Sequence, residues 1–155
     1  MIVSFFGHAD FTESLSIKSA FLSFLETLAP TADLSFYIGT QGAFDAFALS
    51  CCFLLKRRYP HVKTICITPY LTVSCRDNRF DEYIYPALEH VPPRFAIVER
   101  NRFMVRSSDL ILTYIDYPNG GAYQALCYAS KLKKPIKNFG KWNDATVQAH
   151  PKISY

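Results

Sequence analysis

Residues 34–45 read LSFYIGTQGAFD, and this stretch decides the fold. An apolar, strand-like run ends at Ile38. Gly39 and Gly42 then bracket a polar pair, and an apolar, helix-like run begins at Ala43. The same order returns at 110–122, where LILTYI is followed by DYPNGG and a second helix-like run. Glycine lets backbone N–H groups approach a ligand closely, and a helix N-terminus favours an anion there. Two such turns in one small domain point to a phosphorylated ligand, foremost a nucleotide.

Working outward, further strands are expected at 1–6, 62–68 and 135–139, and helices at 11–28, 43–59, 95–107 and 122–133. Residues 70–93 show no periodicity, and the tail from residue 140 is polar. Alternating strands and helices predict a single domain over 1–155, a Rossmann-like three-layer α/β sandwich around a central, mainly parallel sheet of about five strands. In such a fold the loops that follow strands gather at the C-terminal edge of the sheet, where ligands bind.

Half of the 155 residues are apolar, which suits a real core. Lys and Arg number 17 against 13 Asp and Glu, a formal charge of +4. That mild excess suits an anionic small ligand and leads to the expectation that nucleic acid is an unlikely partner. Aromatic-rich apolar helices lead to the expectation of a homo-oligomer, a dimer or tetramer. The five cysteines lack CxxC spacing and mostly sit in apolar runs, so reduced, buried thiols are expected, with no metal and no cofactor. No signal peptide and no apolar run of about 18 to 20 residues is evident, so a cytoplasmic protein without a membrane span is expected.

The first turn lacks the Lys-Ser/Thr pair of a P-loop and the GxGxxG pattern. Gly39, Thr40, Gln41 and Gly42 are candidates for a phosphate cradle. Asp45 is either a carboxylate favoured by the helix dipole or a ligand-facing group that accepts a ribose hydroxyl or acts as a base. Asn119, Gly120 and Gly121 repeat the cradle logic. In the helix at 95–107, Ile97, Val98, Met104 and Val105 form an apolar stripe with Asn101 in its middle. Arg94, one turn upstream, is expected at the ligand edge, where a guanidinium binds phosphate. Arg100, Arg102 and Arg106 read as solvated or interface charges, with Arg102 able to turn inward. Gly7 and His8 follow the first strand directly. Glu82 and Tyr85 fall in the long third loop, a candidate lid. Asp45 and Glu82 are the acids to consider if the protein is an enzyme, and Tyr85 or Phe44 could stack on a base.

Taken together, Phe6-Gly7-His8, the 37–45 turn, Ile84-Tyr85-Pro86, residues 91–97, Arg100-Asn101-Arg102-Phe103-Met104-Val105, Ser108-Asp109 and Gly120-Gly121-Ala122 stand in an order that resembles the SLOG superfamily. That group includes the lonely-guy phosphoribohydrolases and the DNA-processing proteins of natural transformation. The resemblance spans about residues 2–139. It implies a Rossmann-like domain that senses, sequesters or processes nucleotide-derived ligands, such as ADP-ribose-like or cyclic nucleotide species, anti-phage signalling included. By position it assigns ligand contacts to Gly39, Thr40, Gln41, Gly42, Asp45, Arg94, Asn101, Arg102, Gly120 and Gly121. Two departures stand out. Ala9 occupies the place where the family usually has Arg after Gly-His. The segment from Pro118 to Ala125 lacks the catalytic Glu of the lonely-guy loop. The alternatives are an N-glycosidic hydrolase and a DNA-binding module.

Overall fold

The computed structural model describes residues 1–142; the final part of the polar tail read from the sequence lies outside the described residues. Six parallel strands form one sheet: β1 (Ile2–Gly7), β2 (Ser35–Ile38), β3 (Lys63–Ile67), β4 (Glu82–Ile84), β5 (Leu110–Tyr114) and β6 (Ile136–Asn138). Their order across the sheet is β4-β3-β2-β1-β5-β6. The helices are α1 (Leu15–Leu28), α2 (Ala43–Arg58), α3 (Ala96–Ser107) and α4 (Gly120–Lys131), and a 3-10 turn at Pro93–Phe95 leads into α3. The expected Rossmann-like α/β sandwich is what the chain adopts, with one strand more than expected.

Period-two alternation sends side chains to two separate cores. From β1 and β2, Val3, Phe5, Phe36 and Ile38 pack with Phe21, Leu25, Phe44 and Phe47 of α1 and α2. On the other face, Phe6, Tyr37, Ile65 and Ile111 pack with Met104, Val105, Ala125 and Ala129 of α3 and α4. Phe5, Phe21, Phe36 and Phe44 are fully buried. Each such ring contributes about 1.5–3 kcal/mol by leaving water. The aromatic richness of the sequence is thus largely spent inside the first core.

Helix starts follow local capping. α1 begins at Leu15 rather than near residue 11 because the Ser14 side chain accepts from the Ile17 N–H at 3.3 Å. Phe11 instead turns inward against Phe44, Phe47 and Tyr114. β4 is the strand the sequence reading lacks. Its three residues are too few for a periodic signal, and it is held by pairing with β3 and by Asp81, whose carboxylate accepts from the Thr64 N–H at 2.8 Å.

Cys51, Cys52 and Cys66 are buried, and Cys75 is exposed. Burial pushes the Cys51 thiol up to about 12 and the Cys66 thiol to about 11. Among the described residues, no helix is long and apolar enough to cross a membrane, and no three His, Cys, Asp or Glu side chains converge as metal ligands.

Candidate functional site

The sheet order reverses between β1 and β5. The chain leaves β1 toward β2 on one side and leaves β5 toward β6 on the other. A crevice opens at such a switch point, outside the C-terminal strand ends. Here it is a cleft of ≈ 420 Å³. Its walls come from the β1 end, the two glycine turns and the face of α3 that carries Ile97, Arg100, Asn101 and Met104.

Arg100 is the residue the sequence reading misplaced. It reads from the sequence as a solvated or interface charge, yet it is only 2% exposed and lines the cleft. Spacing could have found it, because 97, 100, 101 and 104 share one helical face. What hid it was the distant partner: its Nη1 donates to the Ile67 carbonyl of β3 at 2.8 Å. Its Nε donates to the Asn101 Oδ1 at 2.9 Å. That bond turns the Asn101 amide nitrogen toward α4, where a Cβ on Gly121 would stand 4.0 Å from it. Among the described residues no carboxylate comes within ion-pair distance of Arg100. Burial pulls its guanidinium below the usual value of 12.5, and Asp45 offsets this in part.

Asp45 stands across from Arg100. A Cβ on Gly39 would lie 2.6 Å from the Arg100 Nη1 and 2.8 Å from the Asp45 Oδ2, so Gly39 is the spacer that lets both groups approach. Burial raises the Asp45 carboxyl above its usual range, against the opposing effects of the Gln41 N–H and of Arg100. Its Oδ2 accepts from the Gln41 N–H at 2.8 Å. The Ala43 N–H donates to the Ala9 carbonyl at 3.1 Å. Two amides of the first glycine turn are therefore already occupied from within. Gly42 serves that closure, since a Cβ there would lie 2.7 Å from the Ala9 Cα. Thr40 points into solvent and does not line the cleft.

The second turn is the open one. Asn119 caps α4 by accepting from the Gly120 N–H at 2.8 Å. Gly120 takes φ +87°, a left-handed conformation that favours glycine. A Cβ at Gly120 would meet nothing within 4 Å, and one at Gly121 would meet only the Asn101 amide nitrogen, at 4.0 Å. The α4 N-terminus thus faces Arg100 and Asn101 across the cleft.

His8 ties two walls together. Its ring stacks on Tyr117 with centroids 3.7 Å apart, and its Nε2 accepts from the Asp116 N–H at 3.0 Å. The Tyr117 hydroxyl donates to Asp10 at 2.9 Å. An accepting Nε2 requires a neutral imidazole with its proton on Nδ1. Burial lowers the His8 pKa below 6.5, with Asp10 and Asp116 opposing. The sign follows: the tie is fully present above pH 6.5 and weakens as pH falls below it toward the lower folded value, because the unfolded imidazole takes the proton first. Between about pH 7 and about pH 5.5, wild type should lose melting temperature faster than His8→Phe, which keeps the stack and lacks the acceptor. Parallel melting curves against pH would contradict this.

Four other expectations change. Arg94 is exposed, with its guanidinium over the Phe95 ring at 4.8 Å, because the 3-10 turn swings it away from the α3 face. Arg102 pairs with Glu99 and lies near Tyr128, on a shallow groove between α3 and α4 rather than in the cleft. Glu82 opens β4 and bonds Lys63 at 3.2 Å, which puts it at the sheet end opposite the cleft. Tyr85 is half-buried and absent from the cleft walls, and Phe44 is buried in the core, so neither can stack on a ligand there. Tyr117, which the sequence reading passed over, is an exposed aromatic ring in the cleft wall.

No protein-family model and no curated protein matches the chain. In fold it is similar to DNA processing protein A from Helicobacter pylori, with TM-score 0.61 and 17% identity, over 89% of this chain and 64% of that one. The chain therefore spans less than two thirds of that protein's length. That structure concerns a single-stranded DNA binding mode. The expectation that nucleic acid is an unlikely partner is corrected by it, since a protein of this fold binds single-stranded DNA and mild net charge is no ground for exclusion.

Proposed function

We propose that this is a SLOG-type protein that binds a nucleotide-derived ligand in the β1/β5 cleft. Phosphate sits between Arg100, Asn101 and the N-terminus of α4. A sugar hydroxyl donates to Asp45, and a base packs on Tyr117. The observation that carries this reading is Arg100, a buried guanidinium with no carboxylate in pairing range among the described residues, lining an open cleft opposite a helix N-terminus. Buried charges are normally paired, so such a group is suited to an anion from outside.

The test is mass spectrometry of small molecules released by denaturing protein that was incubated with a nucleotide-rich extract. An intact phosphorylated nucleoside supports a binding role. A free base and sugar phosphate formed only when Asp45 is intact would make Asp45 an acid in glycosidic cleavage, which its raised pKa suits. Gly121→Ala gives the control. A methyl group at Gly121 would meet only the Asn101 amide nitrogen, at 4.0 Å, an ordinary contact, so its place in α4 predicts a fold at least as stable as wild type, whereas the methyl blocks approach to the helix amides. Binding is expected to fall about tenfold or more with the melting temperature unchanged or higher. Unchanged binding in this variant would remove α4 from the site.

A second reading, single-stranded DNA in the same cleft, is favoured by the fold neighbour. It predicts affinity for oligothymidylate that drops steeply with salt. Salt-insensitive or absent binding would dismiss it.

A further inference from the structure

We propose that the cleft selects a phosphodiester, which carries one negative charge, over phosphomonoesters and polyphosphates. This rests on the nucleotide-binding reading and narrows its chemistry. Two independent features support it.

The first is the number of cradles. Both glycine turns were candidates for phosphate, but the amides of Gln41 and Ala43 are taken by the Asp45 carboxylate and the Ala9 carbonyl. A phosphate at the first turn would also meet the Asp45 carboxylate. The α4 turn remains: Asn119 accepts from its Gly120 N–H, but no carboxylate stands in it, and the Asn101 amide and Arg100 guanidinium line the same cleft. One phosphorus atom has a cradle there, whereas a second, at the first turn, would face the Asp45 carboxylate.

The second is charge. Among the described residues, the charged side chains lining the cleft are Arg100, Asp10 and Asp45. The lining therefore carries one formal positive charge and two negative ones. His8, which also lines it, accepts two backbone N–H groups and is neutral. The α4 N-terminus adds roughly half a positive charge. A phosphomonoester carries about −1.5 to −2 near neutral pH, and its second charge would have no counter-charge beside Asp45. A diester brings the single charge that Arg100 and the helix end can neutralise.

The diester could come from a cyclic mononucleotide or from an internal link of a nucleic-acid strand, and the experiment separates them. Binding is measured by calorimetry slightly above neutral pH, with the full chain. The probes are cyclic mononucleotides of all four bases, the matching nucleoside monophosphates and diphosphates, and oligothymidylate lacking terminal phosphates. At least one diester is expected to bind about tenfold or more tightly than any monoester or diphosphate. Preference for the cyclic compounds identifies a small diffusible ligand, and preference for the oligonucleotide identifies a strand.

Asp10→Asn provides the matched control. Asp10 is exposed, and the amide oxygen still accepts from Tyr117, so the fold is kept while one negative charge leaves the cleft. Monoester affinity should rise severalfold relative to the diester, and Asp45→Asn should shift it the same way. A monoester or diphosphate that binds wild type as tightly as every diester overturns the selectivity while leaving nucleotide binding intact. Binding of none of the probes overturns the nucleotide reading itself and the selectivity with it.

Discussion

Arg100→Met is expected to weaken nucleotide binding by about 10- to 150-fold while leaving the fold standing. The variant loses charge-assisted hydrogen bonds to phosphate, each worth about 1.5–3 kcal/mol. Methionine fills a similar volume beside Met104 and Ile97 on the same α3 face. Two effects on stability oppose each other. The Ile67 carbonyl loses its donor, which costs about 1–3 kcal/mol if it stays dry. Against that, a buried cation without a carboxylate in pairing range is removed, and such groups are expensive to keep. A small net change in melting temperature is therefore expected alongside a large loss of binding. Wild-type affinity in a folded Arg100→Met protein would sink the assignment of Arg100 to the anion. Arg100→Lys should recover only part of the affinity, because an ammonium cannot hold Ile67, Asn101 and phosphate with one planar fork.

Gly7→Ala is expected to destabilise the protein by about 3 kcal/mol or more. A methyl group at Gly7 would stand 2.1 Å from the Phe44 Cγ and 2.6 Å from its Cβ. Phe44 cannot step aside, since it is fully buried against Phe11, Phe21, Phe47 and Tyr114. The glycine before His8 thus serves packing between β1 and α2, and the ligand cleft lies just beyond it. Denaturant unfolding of Gly7→Ala, Phe44→Leu and the double variant checks this. The two substitutions should couple strongly, the double variant being more stable than the sum of the singles implies. A Gly7→Ala protein within about 1 kcal/mol of wild type would show that the contact is soft.

The fold was legible because its signals are local. Apolar runs that end in glycine turns announce parallel strands feeding helices, and the C-terminal edge follows from that alternation alone. β4 was not legible, because three residues at a sheet edge owe their conformation to β3 and to Asp81 rather than to their own pattern. The structure places Asn101, Asp45, His8 and the second glycine turn around one cleft, as their positions after strands or on one helix face suggested. Arg94 and Arg100 changed places for a physical reason. Sequence reading sends a charged residue to water unless a partner is visible, and the carbonyl that holds Arg100 lies 33 residues away at Ile67. Glu82 went astray with β4, since an unseen strand has no direction and its ends cannot be assigned to an edge.

Arg100 also joins the two halves of the chain: it rises from α3, which leads to β5, yet fastens to the carbonyl at the end of β3, two strands beyond β1. A ligand gripping its free side therefore pulls on both halves at once. Amide hydrogens at the end of β3 and in the first turn of α4 should exchange more slowly together when the cleft fills, although these segments lie on either side of the point where the strand order turns back. Occupancy of so small a site would in this way be felt as a tightening of the sheet across its middle.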